Sequence, residues 1–225
     1  MQKLFLASLF KDVSHLFVDF ANENLVGKTV TFIPTAALPD SLDFHIKYSK
    51  ELLSEMGLIV DELEISTASY LDIENKLENN DYIYVVGGNT FFLLQEMNKS
   101  GAGKLIKMQI NAGKLFIGES AGAILLAPDI EYSKDTDNPL AAPQLKTYEA
   151  LDIIDFYPVP HDKDDSLKEA VEILISKYGT QLPLVPFSNS QAILVMGKKW
   201  QIVRQDSKTV SLSGSGGDSG LDRKC

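Results

Sequence analysis

Short apolar runs alternate with amphipathic segments along the first 125 or so residues of the chain. The apolar runs are typical of buried strands and cover residues 3–9, 28–33, 58–63, 81–86 and 115–117. The amphipathic segments repeat apolar residues at helical spacing and cover residues 15–25, 41–56, 70–77, 91–97 and 104–111. Strands that alternate with helices predict right-handed crossovers and an α/β fold, with a mainly parallel sheet covered on both faces.

The pattern changes after residue 126. Residues 129–144 are polar and acidic, which indicates a loop, and an extended run over 152–159 ends just before His161. A helix is predicted over 166–177, followed by short closing strands at 184–186, 191–196 and 200–204. We expect one domain over residues 1–206. The Gly/Ser-rich stretch 207–225 is expected to be a flexible tail, of the kind that recombinant expression leaves.

Composition narrows the class of protein. Hydrophobic residues make up 44% and charged residues 23% of the 225, and the formal net charge is −10. This balance disfavours nucleic acid or an anionic membrane as partner, because both select for clusters of Lys and Arg. The single cysteine, Cys225, rules out an intramolecular disulfide, and no apolar run approaches the ~18 residues of a membrane span. We expect a cytoplasmic protein, either a monomer or a homodimer.

The most informative stretch is KLFIGESAGAILL, residues 114–126. An apolar run stops at Gly118, Ser120 follows between small residues, and a second apolar run begins after Gly122. This is the G-x-S-x-G pattern of a nucleophile elbow, a sharp turn from strand to helix that exposes a serine hydroxyl. The helix directs its first N–H groups back toward the turn, which suits a developing oxyanion. An ordinary strand-to-helix turn also fits these five residues.

A nucleophilic serine needs a base, usually a histidine that a carboxylate orients. Of the three histidines, His15 and His45 fall within predicted helices and are expected to be structural. His161 follows a predicted strand in the segment PVPHDK, where ligands gather in open parallel sheets, and it is the candidate base. None of the three is spaced for metal binding, so we expect neither metal nor cofactor.

The third member of a triad is not fixed by spacing. Acidic residues crowd the stretch after the elbow, and any of them could orient the histidine or simply be solvated: Asp129, Glu131, Asp135, Asp137, Asp155 and Asp162.

A second turn, Gly87-Gly88-Asn89-Thr90, follows the strand predicted at 81–86. Two glycines allow a close approach of the backbone, and Thr90 can cap the next helix, so an N–H group here could face the Ser120 oxygen. A plain turn is the alternative. The turn lacks the pattern of a phosphate-binding loop.

Together, VVGGNTFFLL (85–94), GESAGAILLAP (118–128) and the pair Pro160-His161 resemble the peptidase E and cyanophycinase family of serine peptidases. The resemblance spans residues 28–196. It implies a three-layer α/β sandwich like that of flavodoxin or class I glutamine amidotransferases. It also implies Ser120 as nucleophile, His161 as general base, and the backbone N–H groups of Gly88 and Ala121 as oxyanion hole. Register with the family favours Asp135 as the acid, with Asp137 and Glu131 as secondary candidates.

The resemblance implies hydrolysis of short peptides, with dipeptides that begin with aspartate as the candidate substrates. Two departures bear on this. The chain carries no arginine after His161 until Arg204, and Glu119 stands where peptidase E has an aromatic residue. The candidate substrate pocket includes Asn89 and Glu119, and Lys163 or Lys134 could receive an anionic side chain. The alternative function is a catalytically idle protein of the same fold that binds a peptide or small ligand. An esterase of the α/β-hydrolase type is a third option, which only the G-x-S-x-G pattern supports.

Overall fold

The computed structural model of the chain describes residues 1–40 and 43–204. The strands are β1 (Lys3–Ala7), β2 (Thr29–Ile33), β3 (Ile59–Glu62), β4 (Tyr82–Val85), β5 (Leu115–Glu119), β6 (Tyr157–Val159), β7 (Leu184–Pro186), β8 (Gln191–Met196) and β9 (Lys199–Arg204). The helices are α1 (Phe10–Ala21), α2 (Asp43–Glu55), α3 (Tyr70–Asn79), α4 (Thr90–Ser100), α5 (Ala102–Ala112), α6 (Ala121–Ile124) and α7 (Lys168–Tyr178). The predicted tail, the start of the helix predicted from Ser41, and the His45 side chain lie outside the described residues.

Within the described ranges, seven strands form one sheet in the order β3-β2-β4-β5-β1-β8-β9. The first five are parallel to one another, and β8 and β9 add an antiparallel hairpin beside β1 at one edge. Because the carboxyl ends of parallel strands meet at one edge, the turns after β1, β4 and β5 lie together there. The predicted mainly parallel α/β sheet is therefore confirmed.

Alternation along each strand builds two cores. Phe5 faces a core that α1 and α2 cover, whereas its neighbours Leu4 and Leu6 face a larger core under the remaining helices. These side chains are fully buried, as the period of two in a strand requires. The result is the three-layer arrangement expected from the resemblance.

One predicted helix is shifted along the chain. Residues 15–25 were expected to be helical, but α1 runs from Phe10 to Ala21, with Asn22 in the left-handed conformation at φ 54°. The buried stripe of α1 begins at Phe10, whose N–H donates to Glu119 Oε1 at 2.9 Å. A cap supplied from β5 is a tertiary contact that local sequence does not reveal. His15 is exposed on α1, as a structural histidine of a surface helix would be.

The extended run predicted over 152–159 is mostly not a strand. Only Tyr157–Val159 forms β6, which pairs in parallel with β7 in a separate two-stranded sheet. The preceding backbone donates instead to the loop after α6, from Leu151 N to Leu125 O and from Ile153 N to Leu126 O. Among the described residues, no helix is both long and apolar enough to cross a membrane.

Candidate active site

Ser120 lies on the sharp turn that the sequence predicts. β5 ends at Glu119, α6 begins at Ala121, and Ser120 between them has φ 49° and ψ −109°. A positive φ at a residue with a side chain is strained and persists only where the surroundings enforce it. Here a Cβ on Gly118 would lie 2.6 Å from the carbonyl oxygen of Gly122, so the turn requires glycine. The Ser120 N–H donates to Ala7 O at 2.8 Å, which ties the turn to β1.

His161 follows β6 and contacts the serine. Its Nε2 lies 2.9 Å from Ser120 Oγ, so the structure brings the two sequence-predicted residues within hydrogen-bond distance. The His161 backbone also has a positive φ, 63°. Its N–H donates to Ser8 Oγ at 2.9 Å, and the Ser8 hydroxyl donates to Phe187 O at 3.1 Å. The buried Ser8, at the end of β1, thus fixes the loop that carries the imidazole.

The other imidazole nitrogen contacts Asn189, which in turn bonds Asp164, and sequence reasoning missed both residues. His161 Nδ1 lies 3.0 Å from Asn189 Oδ1, and Asn189 Nδ2 donates to Asp164 Oδ2 at 2.5 Å. The parallel register of β6 and β7 pairs Val159 with Pro186, so the segments that follow both strands leave the same edge. The available signal was the predicted strand 184–186, whose end carries the polar segment Ser188-Asn189-Ser190.

Two of the acidic candidates, Asp135 and Glu131, form ion pairs away from His161. The Asp135 carboxylate is 3.2 Å from Lys177 Nζ, and the exposed Glu131 accepts from Lys134 Nζ at 2.8 Å. The structure therefore brings neither of them to His161, because each pairs with a nearby lysine on the surface. In place of an expected carboxylate, Nδ1 faces the amide of Asn189.

Asp137 lines the cavity beside the serine but is turned toward α4. Its Oδ2 accepts from the N–H of Thr90 at 3.0 Å and from the Thr90 hydroxyl. Burial raises the pKa of this carboxyl to about 6, and the nearby Asp40 acts in the same direction. Asp137 is thus held at the helix N-terminus with a carboxylate that is costly to ionise.

The two residues predicted to form the oxyanion hole lie near the serine, because Ala121 directly follows it and Gly88 lines the same cavity. Gly88 has φ 138°, and a Cβ there would lie 2.2 Å from Ala36 O, so only glycine fits the turn. Gly87 packs against Ser120, with an added Cβ 3.0 Å from the serine Cβ. Within residues 1–40 and 43–204, the backbone N–H groups of Gly88 and Ala121 donate no hydrogen bond to the protein. Both N–H groups are therefore available to an acceptor at this turn.

The two predicted pocket residues have other contacts. The Glu119 side chain is 1% exposed, and it accepts from the Tyr84 hydroxyl at 2.7 Å as well as from Phe10 N. Side chains alternate along β5, so Glu119 points to the face that α1 covers and away from the serine cavity. The buried Asn89 caps α4, accepting from Phe92 N at 2.9 Å and donating to Asn138 O at 3.0 Å. Neither side chain lines the cavity.

A cavity of about 210 Å³ lies over the serine. Its lining includes Ser120, His161 and Gly88, with Asp40 and Asp137 as the acidic members and apolar residues such as Ile124 and Leu174. Among the described lining residues there is no lysine or arginine. Lys163 has an 81% exposed side chain beside Asp162, and Lys134 lies over the Tyr148 ring, so neither enters the cavity. Apart from His161, the ionisable side chains in the described lining are therefore acidic or phenolic.

Comparison with known proteins points to one family of peptidases. The family model described as peptidase family S51 matches residues 4–203. An uncharacterized peptidase of Pasteurella multocida is 47% identical over 208 residues, covering 92% of this chain and all of the relative. Peptidase E of Escherichia coli is 31% identical over 140 residues, covering 62% of this chain and 58% of the relative.

Solved structures share the fold. The crystal structure of a proposed peptidase E from Listeria monocytogenes superposes with a TM-score of 0.87 at 46% identity, covering 92% of this chain and all of that one. A peptidase from an acI-B1 Actinobacterium superposes with a TM-score of 0.66 at 18% identity, covering 91% of this chain and 88% of that one. The second likeness is one of fold alone.

Proposed function

The chain belongs to peptidase family S51 and is a serine-type peptidase, and we propose that it hydrolyses short peptides with a free amino terminus through an acyl-enzyme on Ser120. The observation that supports this proposal most directly is the 2.9 Å contact between Ser120 Oγ and His161 Nε2 on a strained elbow. A serine hydroxyl is a weak nucleophile unless a base accepts its proton, and the contact supplies that base.

The proposed reaction has two halves. Ser120 Oγ attacks the scissile carbonyl carbon while its proton passes to His161 Nε2, which then gives the proton to the leaving amine as the C–N bond breaks. Water next attacks the acyl-enzyme and loses a proton to Nε2, which returns it to Ser120 Oγ as the ester bond breaks and the acid product leaves. The N–H groups of Gly88 and Ala121 are the proposed donors to the tetrahedral oxyanion, because both residues lie near the serine and neither N–H has an acceptor among the described residues.

The cavity suggests which end of the substrate it receives. Asp40 and Asp137 line it and its described lining has no lysine or arginine, so a cationic group is favoured and an anionic one is repelled. We assign this charge to the α-ammonium group of the peptide, with Asp137 as the main partner. The volume of about 210 Å³ suits one residue of a short substrate, which makes dipeptides the simplest candidates. An N-terminal aspartate side chain would find no cation in this lining.

Two further parts of the proposal rest on composition. Small peptides, rather than nucleic acid or a membrane, remain the proposed partners because the net charge is −10. A cytoplasmic location is proposed because the single cysteine excludes an internal disulfide.

A dipeptide library and a fluorophosphonate probe test the proposal together. The wild-type protein is expected to label with the probe and to hydrolyse dipeptides with a free amine, whereas Ser120→Ala should do neither while keeping its circular dichroism spectrum. Hydrolysis that survives Ser120→Ala would overturn the assignment of the nucleophile. A folded wild-type protein that binds dipeptides without labelling or hydrolysis would instead support the alternative, a catalytically idle binding protein.

A further inference from the structure

We propose that Asn189 and Asp164 act in sequence as positioning residues for His161, so that Asp164 supplies the carboxylate of the site through an intervening amide. The proposal rests on the proposed function, in which His161 Nε2 takes the serine proton. It is carried by the chain of contacts from Ser120 Oγ to Nε2 at 2.9 Å, from Nδ1 to Asn189 Oδ1 at 3.0 Å, and from Asn189 Nδ2 to Asp164 Oδ2 at 2.5 Å.

The carboxylate determines which way the amide faces. An ionised carboxylate only accepts hydrogen bonds, so the group that Asn189 turns to Asp164 must be its NH₂. The Asn189 carbonyl oxygen then faces the imidazole, and because it too only accepts, His161 Nδ1 must carry the proton. Nε2 is left as the acceptor for the Ser120 hydroxyl. Asp164 thereby selects the imidazole tautomer that a general base requires, although it does not touch the ring.

Asp164 is itself held in its ionised form. Its Oδ1 accepts from the Ser166 hydroxyl and from Ser166 N at 2.9 Å, which leaves Oδ2 for Asn189. Hydrogen bonds from the Ser166 side chain, the Ser166 backbone and Asn189, together with the charge of His161, lower the pKa of Asp164 below its usual range. A carboxylate fixed in this way remains an acceptor through the neutral pH range.

The backbone brings these residues together. His161 and Lys163 both have positive φ, 63° and 65°, and the turn closes with Asp164 N donating to His161 O at 3.0 Å. On the other side, Ser188 N donates to Gln191 Oε1 at 2.8 Å and Gln191 N to Ser188 O at 3.0 Å, which fixes the turn that contains Asn189. Two of the four residues 161–164 are therefore strained, which is typical of a functional loop rather than of a simple connection between β6 and α7.

Other charged groups surround the pair. Asp12, Asp162, Lys163 and Asp165 share a surface cavity with Asp164 and Asn189, and Asp40 and Asp137 face His161 from the serine side. Of the acidic groups in that surface cavity, Asp164 is the one whose oxygen bonds the Asn189 amide, so the neighbours provide matched controls.

Replacing Asp164 by Asn tests the assignment. The new amide can present either group to Asn189, so the tautomer is no longer enforced, and kcat/KM should fall by about 10- to 100-fold with KM little changed. The acid limb of the pH profile should move to lower pH, because a negative charge near the imidazolium is removed. Asp165→Asn, an exposed neighbour, should leave both the rate and the profile unchanged. Thermal melts would verify that each variant is folded, since Asn can still accept from Ser166 N.

A swap sharpens the test. The double variant Asp164→Asn, Asn189→Asp places a carboxylate against Nδ1–H with an amide behind it, and should recover to within about 10-fold of the wild type. Asn189→Ala should lose about 100- to 1,000-fold in kcat, since nothing then holds the ring. Equal rates and pH profiles for wild type and a folded Asp164→Asn would overturn the proposal. Failure of the proposed function is separate, because it would appear as a wild-type protein that neither labels with fluorophosphonate nor hydrolyses peptides.

Discussion

Asp137 and Asp164 are two aspartates near the site of His161, and their surroundings shift the pKa of the carboxyl group in opposite directions. Asp137 lines the serine cavity, where burial raises the pKa of its carboxyl to about 6. Asp164 lies behind Asn189, where hydrogen bonds led by the Ser166 hydroxyl lower the pKa of its carboxyl. Both carboxyl groups accept hydrogen bonds, but burial outweighs those of Asp137, whereas the hydrogen bonds of Asp164 outweigh its slight burial. One side of the site is therefore poised to accept a cation, and the other holds a constant negative charge.

Among substitutions of these aspartates, the largest effect on activity is expected from removing the charge of Asp137 in the serine cavity. Asp137→Asn should lower kcat/KM for free-amine dipeptides by about 100-fold, mainly through KM, because a hydrogen bond to a charged group contributes about 1.5–3 kcal/mol. N-acetylated peptides, which lack the ammonium group, should be affected by less than about 3-fold. Steady-state kinetics on matched pairs of peptides measures the difference. Equal losses for both kinds of peptide would remove Asp137 from substrate binding.

The same substitution should stabilise the fold. The folded-state pKa of Asp137 is about 6 against an ordinary 3.8, so folding favours the protonated carboxyl, and stability is lost as pH rises from 3.8 through about 6. Asp137→Asn should therefore raise the free energy of unfolding at pH 8 by about 2–3 kcal/mol, or Tm by about 5 °C. The difference should disappear below about pH 3, where the carboxyl is protonated in both the folded and the unfolded state of the wild type. Urea titrations at the two pH values measure it, and a gain that does not depend on pH would contradict the explanation.

Replacing Asp164 should have the opposite and smaller effect on stability: it should lower the free energy of unfolding. Its folded-state pKa is lowered, so its contribution is present above the ordinary pKa of 3.8 and is lost as pH falls through the folded value. Asp164→Asn should cost less than about 1 kcal/mol at pH 7, because the group is partly exposed and solvent screens it. Comparing the unfolding of variant and wild type at pH 7 and pH 3 checks this, and a stabilising effect at pH 7 would contradict it.

The smallest effect is expected at Asp135, the acid that the resemblance favours. Its carboxylate pairs with Lys177 at 3.2 Å on the surface. Asp135→Asn should change kcat/KM by less than about 2-fold and stability by less than about 1 kcal/mol. A large loss of kcat with an unchanged fold would return Asp135 to the catalytic machinery and weaken the assignment of Asp164.

Local sequence was enough to predict the parallel sheet and the turn at Ser120. Both depend on patterns within a few residues, namely alternating apolar runs and small residues around one serine. His161 was also found, because it directly follows an extended run. Each of these features is set by residues that are neighbours in the chain.

The residues behind His161 could not be found in this way. Asn189 lies 28 positions beyond His161, and only the parallel pairing of β6 with β7 brings it to the ring. Asp164 reads as one of several acidic residues in a polar loop until Asn189 turns its amide toward it. Glu119 was assigned to the pocket because it adjoins the serine, but alternation along β5 sends its side chain to the opposite face. The residues that orient His161, and the direction of the Glu119 side chain, therefore depend on contacts between segments that are distant in the sequence.

The separate sheet of β6 and β7 has a consequence for how activity is lost. Ser120 follows a strand of the large sheet, whereas His161 and Asn189 follow strands of the small one. Ser8 links the two sheets, because its hydroxyl accepts from His161 N and donates to Phe187 O. Small elements with few ladder hydrogen bonds open at lower free energy than a central sheet. Ser120 and His161 therefore belong to two sheets that differ in local stability. Mild denaturant is expected to abolish activity while most amide protons remain protected from exchange. The resulting state would be inactive but nearly native in structure.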